Sequence, residues 1–457
     1  MRFLRWLYPG LRVKRWLALF ALAAVCLGFG LAFSLSPGTM PALAAAIAHA
    51  LRAPDGASLP RWALAAGFLV LGLALGTLAF RGVVLSMVEV LSPGAAGGLG
   101  QILYARRQAG RGPRIAALGG GTGLPVLLRG LKEYTGNLTA IVTVGDDGGS
   151  SGRLRGELGI LPPGDVRNCL LALADTEPLM AQLFQHRFAR GSLEGHAVGN
   201  LLLGGLSEVT GSFVEAIETA SRVLAVRGRV LPSTVADVTL AADLEDGRTV
   251  RGETAITAAG GRIRRLRMEP EGARALPHAV QAVLEAEIVV VGPGSLYTSI
   301  LPNLCLRELR EALRRTAALR IFVVNVMTQP GETDGLTAAD HLAALQAEVG
   351  RPGVDVVLVN GGRVSEERLA PYAAQGSVPV RADPERCAAL GVQVLTRDVV
   401  AREGLVRHDP ERLAAAIIEL ALRRLGPPQA RHLIDYYLLQ DRVRQALRAR
   451  GREAEAR

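Results

Sequence analysis

Residues 117–131, ALGGGTGLPVLLRGL, set three consecutive glycines and a fourth two residues later between a short apolar run and a stretch of helical character. The pattern is not Gly-x-Gly-x-x-Gly, because the frame opened by Gly121 and Gly123 meets Val126 where the third glycine would fall, and no Gly-Lys-Ser/Thr follows to make a Walker loop. IAAL, just ahead of the glycines, reads as a strand, Gly119–Gly123 as the turn, and Pro125 sits in the first helical turn, where its missing N–H costs nothing. LTAIVTV, EIVVVGPG, RIFVVNVM and DVVLVNGG repeat the scheme: short β-branched runs bounded by glycine or polar loops and separated by longer helical stretches. Such runs suit strands buried on both faces of a parallel sheet. One interruption, ADVTLAADLEDGRTVRGETAIT, carries two alternating segments around Asp246-Gly247 and predicts an antiparallel hairpin within about 228–258. The expected fold class is α/β: a Rossmann-like, doubly wound, mostly parallel sheet with an inserted antiparallel hairpin.

The chain has 457 residues, room for one large or two ordinary domains. Its net charge of +10 rests mainly on arginines. They gather at the amino terminus, around the apolar segments and near the carboxyl end, without the aromatic interleaving of a base-stacking surface, so no nucleic-acid partner is expected. Cys26, Cys169, Cys305 and Cys387 lie far apart with no paired spacing, which speaks against a zinc site or a disulfide framework.

Trp16–Leu35 and Trp62–Phe80 are free of charged residues, and each meets the roughly 20-residue length of a membrane-spanning helix. Arg2, Arg5, Arg12, Lys14 and Arg15 precede the first stretch and Arg81, Arg106, Arg107, Arg111 and Arg114 follow the second, with only Arg52 and Arg61 between. The positive-inside rule then puts both ends, and the main domain, in the cytoplasm. A cleaved leader is the alternative, since TMPALA offers a small-residue site near Ala44. The expected organisation is a two-helix membrane anchor over 1–81, a linker over 82–113 with the flexible SPGAAGGLG at 92–100, an α/β domain over 114–425, and a basic helix over 426–457.

In an open α/β sheet ligands sit beyond the carboxyl ends of the strands. The glycine loop, at the mouth of a helix, favours an anion such as phosphate or carboxylate, although a glycine-rich turn that merely turns fits as well. VGDDGGSSGRLRGELGILPPGDVRN embeds Asp146 and Asp147 among glycines, followed by Ser150, Asp165 and Asn168. Paired carboxylates there can accept sugar hydroxyls, hold a divalent cation or act as a base, or can simply belong to a solvated turn. GHAVGNLLLGGL places His196 and Asn200 four residues apart, on one face if helical. VVVGPGSLYTSILPNL puts Gly292, Pro293, Gly294, Ser295, Tyr297, Thr298 and Ser299 after a strand, a second anion-ready loop with an aromatic able to stack on a base. VVNVMTQPGETDGLTAADHLAAL follows another strand with Asn325, Thr328, Thr333 and Asp334.

Together these motifs, in this order, resemble the YvcK-type gluconeogenesis factor family, CofD-like relatives of 2-phospho-L-lactate transferase; the likeness runs through about 114–425. The resemblance implies a nucleotide-sugar ligand, UDP-N-acetylglucosamine, bound by a regulator that supports growth on gluconeogenic carbon, cell shape and peptidoglycan and envelope synthesis. It implies ligand-binding roles for Gly119, Gly120, Gly121, Thr122 and Gly123, for Asp146, Asp147 and Ser150, and for Gly292–Ser299, with Asp165, Asn168, His196 and Asn200 at recurring motif positions. The transferase relatives move a phospholactyl-type group from a guanosine diphosphate carrier to a deazaflavin with an aspartate-bound magnesium, so the alternative is a transferase using magnesium in the same pocket. Many members are soluble, whereas two apolar spans precede the domain here. The expectation is a multi-pass protein of the bacterial cytoplasmic membrane, held in lipid by those helices, with a homo-oligomer or a cell-wall regulatory protein as further partner.

Overall fold

The computed structural model describes residues 14–35, 61–91, 112–175 and 178–424, in two compact units divided between residues 105 and 106. The expected basic helix over 426–457 and the juncture at 92–100 lie outside the described residues.

In the first unit, two helices, Lys14–Leu35 and Arg61–Leu91, contain the stretches Lys14–Ala32 and Trp62–Ser86, long and apolar enough to cross a membrane. The second runs to Leu91, ten residues past the boundary expected from the charge at Arg81. Small residues let the two helices close on each other: a Cβ at Gly30 would stand 2.7 Å from Leu69 Cγ, and one at Gly72 would stand 2.7 Å from Leu27 Cγ. Gly82 meets Trp16 at the other end of the pair, so the helices are antiparallel, and the start of the first lies beside the far part of the second. The Arg15 guanidinium lies 4.9 Å from the centre of the Trp16 ring, a cation–π pair that anchors this end.

The second unit is built on a seven-stranded parallel sheet of β1 (Ile115–Gly119), β2 (Leu138–Val142), β3 (Arg229–Pro232), β7 (Ile288–Val291), β8 (Leu319–Val323), β9 (Val356–Asn360) and β10 (Gln393–Arg397), in the order β10-β9-β8-β7-β1-β2-β3. Every residue of β1 and β7 is buried, because helices cover both faces and leave no solvent side to alternate with. From β1 the chain moves outward through β2 to β3 at one edge, then returns to the opposite side of β1 for β7, β8, β9 and β10. The order therefore reverses between β1 and β7, and the loops that leave these two strands diverge at their carboxyl ends.

Between β3 and β7 lies a small antiparallel sheet of β4 (Thr239–Leu244), β5 (Thr249–Arg251) and β6 (Ile263–Glu269), in the order β5-β4-β6. The expected hairpin is β4–β5, which turns through Asp246-Gly247. The start of the expected 228–258 stretch is instead β3, the edge of the main sheet, and β6 adds a third strand to the insert. Arg267 of β6 makes a two-pronged contact with Asp243 of β4, at 3.0 and 2.8 Å. A helix, Glu253–Ala259, links β5 to β6 and carries this insert up to the mouth of the main sheet. Apart from the main core, Val326, Met327, Val400 and Val406 form a small apolar cluster with Val364, Leu369 and Tyr372 packed on it.

Candidate functional site

At the switch point between β1 and β7 the strand-end loops enclose a cavity of about 560 Å3, within the size range of small-ligand sites. Gly121, Thr122 and Gly123 after β1, Pro293 to Ser295 with Thr298 and Ser299 after β7, and Asn325 to Pro330 with Glu332 after β8 form one side of it. Glu253 and Thr257 of the inserted helix, the segment holding Tyr372, Gln375 and Ser377, and Val406 to His408 form the rest.

The glycines are there for close approach. Gly121 has φ +59°, open to glycine at no steric cost. A Cβ on Gly123 would lie 2.5 Å from the Pro293 carbonyl oxygen, so only bare backbone lets the β1 and β7 loops touch. Thr122 precedes the helix Gly123–Leu131 without capping it through its side chain, which leaves the helix opening directed at the cavity. One loop amide is already engaged: Gly121 N–H donates to Asp165 Oδ2 at 2.5 Å. Asn325 fixes the β7 loop from both sides, accepting from Gly294 N–H at 3.1 Å and donating to the Gly294 carbonyl at 2.7 Å.

The two neighbouring aspartates part company. Asp146 Oδ1 accepts from Gly148 N–H at 2.9 Å within its own turn. Asp147 Oδ1 accepts from the amide and hydroxyl of Thr254, at 3.0 and 2.8 Å, and so caps the inserted helix from a distant segment. The acids that reach the cavity are Glu253 and Glu332. Burial, reinforced by Asp146, Asp165, Glu332 and Asp147, raises the Glu253 carboxyl to about 8. Burial also raises Asp165, to about 6, against the bond from Gly121; a sliver of its side chain remains exposed, but protein fills nearly all of its surroundings. Glu332 takes hydrogen bonds from the hydroxyls of Ser295, Thr298 and Thr257, and burial lifts its pKa nonetheless. Arg407 is the one cation among the described lining residues.

Of the residues expected at the site, Gly121, Thr122, Gly123, Pro293, Gly294, Ser295, Thr298, Ser299 and Asn325 line the cavity. Ser150, Asn168, His196 and Asn200 come together elsewhere, in a network centred on Arg167. Ser150 Oγ meets His196 Nδ1 at 3.1 Å, Asn200 Nδ2 donates to Ser150 Oγ at 3.0 Å, and Arg167 donates to Asn200 and Asn168 at 2.8 and 2.9 Å. His196 lies ahead of the helix Val198–Thr210 that holds Asn200, so the two meet through Ser150 and not by sharing a helical face. Tyr297 packs in the main core and is not among the residues lining this cavity. Thr333 is buried and holds the β8 loop by accepting from Gln329 N–H at 2.8 Å. Gly119, Gly120, Gly292, Asp146, Asp147 and Asp165 are not among the lining residues of this cavity; the three aspartates are partly buried and near enough to Glu253 to raise its carboxyl. Sequence reading missed Glu253, Glu332, Arg407 and His408. Their only shared signal is position in loops or at a helix start after strands, which many residues have.

Among the described residues no group of three or more His, Cys, Asp or Glu side chains converges as a metal cluster; a magnesium ion bound with waters and substrate phosphates needs only one or two carboxylates.

The family model of 2-phospho-L-lactate transferase CofD matches residues 115–400. The chain belongs to the CofD-like gluconeogenesis factor family. A gluconeogenesis factor of Bacillus subtilis is 48% identical over 313 residues, which cover 68% of this chain and 99% of that protein. A family member from a Nostoc species, also bearing a gluconeogenesis factor name, is 45% identical over 426 residues, 91% of this chain and 92% of its own length. A crystal structure of a UPF0052 family protein from Bacillus halodurans superposes with a TM-score of 0.66 at 47% identity, covering 67% of this chain and 99% of that one. In these Bacillus members the matched block accounts for nearly the whole chain, so the CofD-like domain stands as a protein by itself.

Proposed function

We propose that this CofD-like domain is a nucleotide-sugar-binding regulator that takes UDP-N-acetylglucosamine in the switch-point cavity. The cavity presents two kinds of partner at once, and this observation carries the reading. The helix opening at Thr122–Gly123 and the Arg407 guanidinium suit a diphosphate, while Glu253 and Glu332 can accept from sugar hydroxyls. At neutral pH Glu253 holds its proton, which spares the diphosphate a like charge. Asn325 and the Gly123–Pro293 contact keep the two phosphate-facing loops in one arrangement, so that little ordering remains to be done on binding.

Two apolar helices with most of their candidate spans unburied favour attachment to the bacterial cytoplasmic membrane, with both ends of the antiparallel pair and the domain on the cytoplasmic side. Held there, a sensor would meet sugar nucleotide where envelope precursors are consumed, linking carbon supply to cell shape.

Calorimetric titration of the full chain in detergent with UDP-N-acetylglucosamine tests the reading. Saturable binding that persists in EDTA supports it; absence of binding refutes it. The name of the matching family model favours one other reading, transfer of a phospholactyl-type group from a guanosine diphosphate carrier to a deazaflavin. Product detected by mass spectrometry with such a donor and acceptor would decide for that reading.

A further inference from the structure

Eight buried side-chain polar atoms have no hydrogen-bond partner among the described residues, and only one of them, His408 Nε2, belongs to a residue that lines the cavity. His408 is 6% exposed. Its ring is oriented by a bond to the backbone of Val324. The Val324 N–H is already given to the Leu358 carbonyl, so the ring must donate to the Val324 carbonyl. With Nε2 unpartnered, the donor is Nδ1–H, and this fixes the tautomer: Nε2 carries a bare lone pair and can only accept. Burial lowers the pKa to about 4, which keeps the ring neutral and Nε2 an acceptor at cellular pH.

The wall around this nitrogen has a composition of its own. Tyr372 and Val406 supply flat and apolar surface, and Gln375 and Ser377 supply polar groups at the edge. Tyr372 Oη accepts from Val406 N–H at 2.9 Å, and both belong to the small apolar cluster set apart from the main core. The helix that bears Tyr372, Glu366–Ala373, has no fully buried residue. The helix therefore contributes no side chain to the main core, and the segment that follows it is tied to the loop after β8, Ser377 Oγ donating to the Thr328 carbonyl and Val378 N–H to Thr328 Oγ1 at 2.9 Å. Phosphate oxygens offer no donor, and the hydroxyl-accepting acids come from other segments, Glu253 from the inserted helix and Glu332 from the loop after β8. What remains for His408 is a planar group with an N–H on its edge.

Resting on the nucleotide-sugar reading above, we propose that His408 selects the nucleobase: Nε2 accepts a hydrogen bond from the imide N3–H of uracil, seated against Tyr372 and Val406. The test is titration of the full chain in detergent with UDP and with N3-methyl-UDP, for the wild type, His408→Ala and His408→Gln. The wild type should prefer UDP by about tenfold, the worth of one buried hydrogen bond. His408→Ala, which removes the acceptor and makes room for the methyl group, should bring the two nucleotides to within about twofold. His408→Gln, which keeps an acceptor oxygen, should retain a preference. Equal affinity of the wild type for the two nucleotides overturns the proposal whatever the variants do. So does a preference that survives in His408→Ala, because the methyl group is then rejected elsewhere. If UDP-N-acetylglucosamine and UDP both fail to bind the wild type, the nucleotide-sugar reading itself falls, a result distinct from binding without base selection.

Discussion

Replacing Glu253 by Gln should make the CofD-like domain more stable at alkaline pH and leave it nearly unchanged in mild acid. The Glu253 carboxyl is raised from 4.5 to about 8, first by burial and then by Asp146, Asp165, Glu332 and Asp147. Between those two values the folded protein holds a proton that the unfolded chain has released. Stability therefore falls as pH rises through 4.5 to 8, and the penalty is complete above 8. A difference of about 3.5 units, at about 1.4 kcal/mol each, sets a ceiling near 5 kcal/mol. The side chain keeps some exposed surface and its acidic neighbours titrate with it, so about 2 kcal/mol is the better expectation. In a domain of this size that corresponds to about 4 °C in melting temperature. Scanning fluorimetry of wild type and Glu253→Gln from pH 5 to pH 9 should show two curves that nearly coincide at pH 5 and separate by about that amount at pH 9. A gap that stays constant across the range would refute the assignment of a proton to Glu253 and, with it, the account of how the cavity tolerates a diphosphate.

Arg407→Ala should weaken UDP-N-acetylglucosamine binding by about 10- to 100-fold in calorimetry, the worth of one charge-assisted contact, while the melting temperature of the free protein stays within a degree or two. Gly123→Ala forces a Cβ to 2.5 Å from the Pro293 carbonyl, so it should cost about 1–3 kcal/mol in denaturant unfolding and abolish measurable binding. Asp147→Ala removes the distant cap of the helix Glu253–Ala259 and should cost about 1 kcal/mol of stability, with ligand affinity reduced less than threefold. The full chain should sediment with membranes after carbonate washing, whereas a chain that starts at residue 112 should remain in the supernatant.

The central strands could be read from sequence because burial on both faces writes itself as an unbroken apolar run: IVVV in β7 needs no context to be recognised. The edges could not be read in this way. β10 is QVLTR, with no residue fully buried, and β6 is IRRLRME, whose exposed arginines hide the alternation of its buried Ile263, Leu266 and Met268. The glycine loop was legible for a similar reason, since four glycines in five residues make little sense except where backbones approach, and Gly123 against Pro293 is such an approach.

The acids show where local reading stops. Asp146 and Asp147 are conspicuous because they are adjacent, yet adjacent residues in a loop point in different directions. One bonds its own turn, and the other reaches across more than a hundred residues to cap a helix. Glu253 and Glu332 are inconspicuous in sequence, and they become cavity acids because an inserted sheet and the β8 loop return to the same switch point. Their partners then decide what they can do. Glu332 is held by three hydroxyls, and Glu253 retains its proton at neutral pH, so the pair is arranged to exchange hydrogen bonds with hydroxyl-bearing groups. A sugar supplies such groups, and the proposal of a glycosyl diphosphate in place of a bare nucleotide rests on this local chemistry more than on the resemblance of the glycine loop to other anion sites.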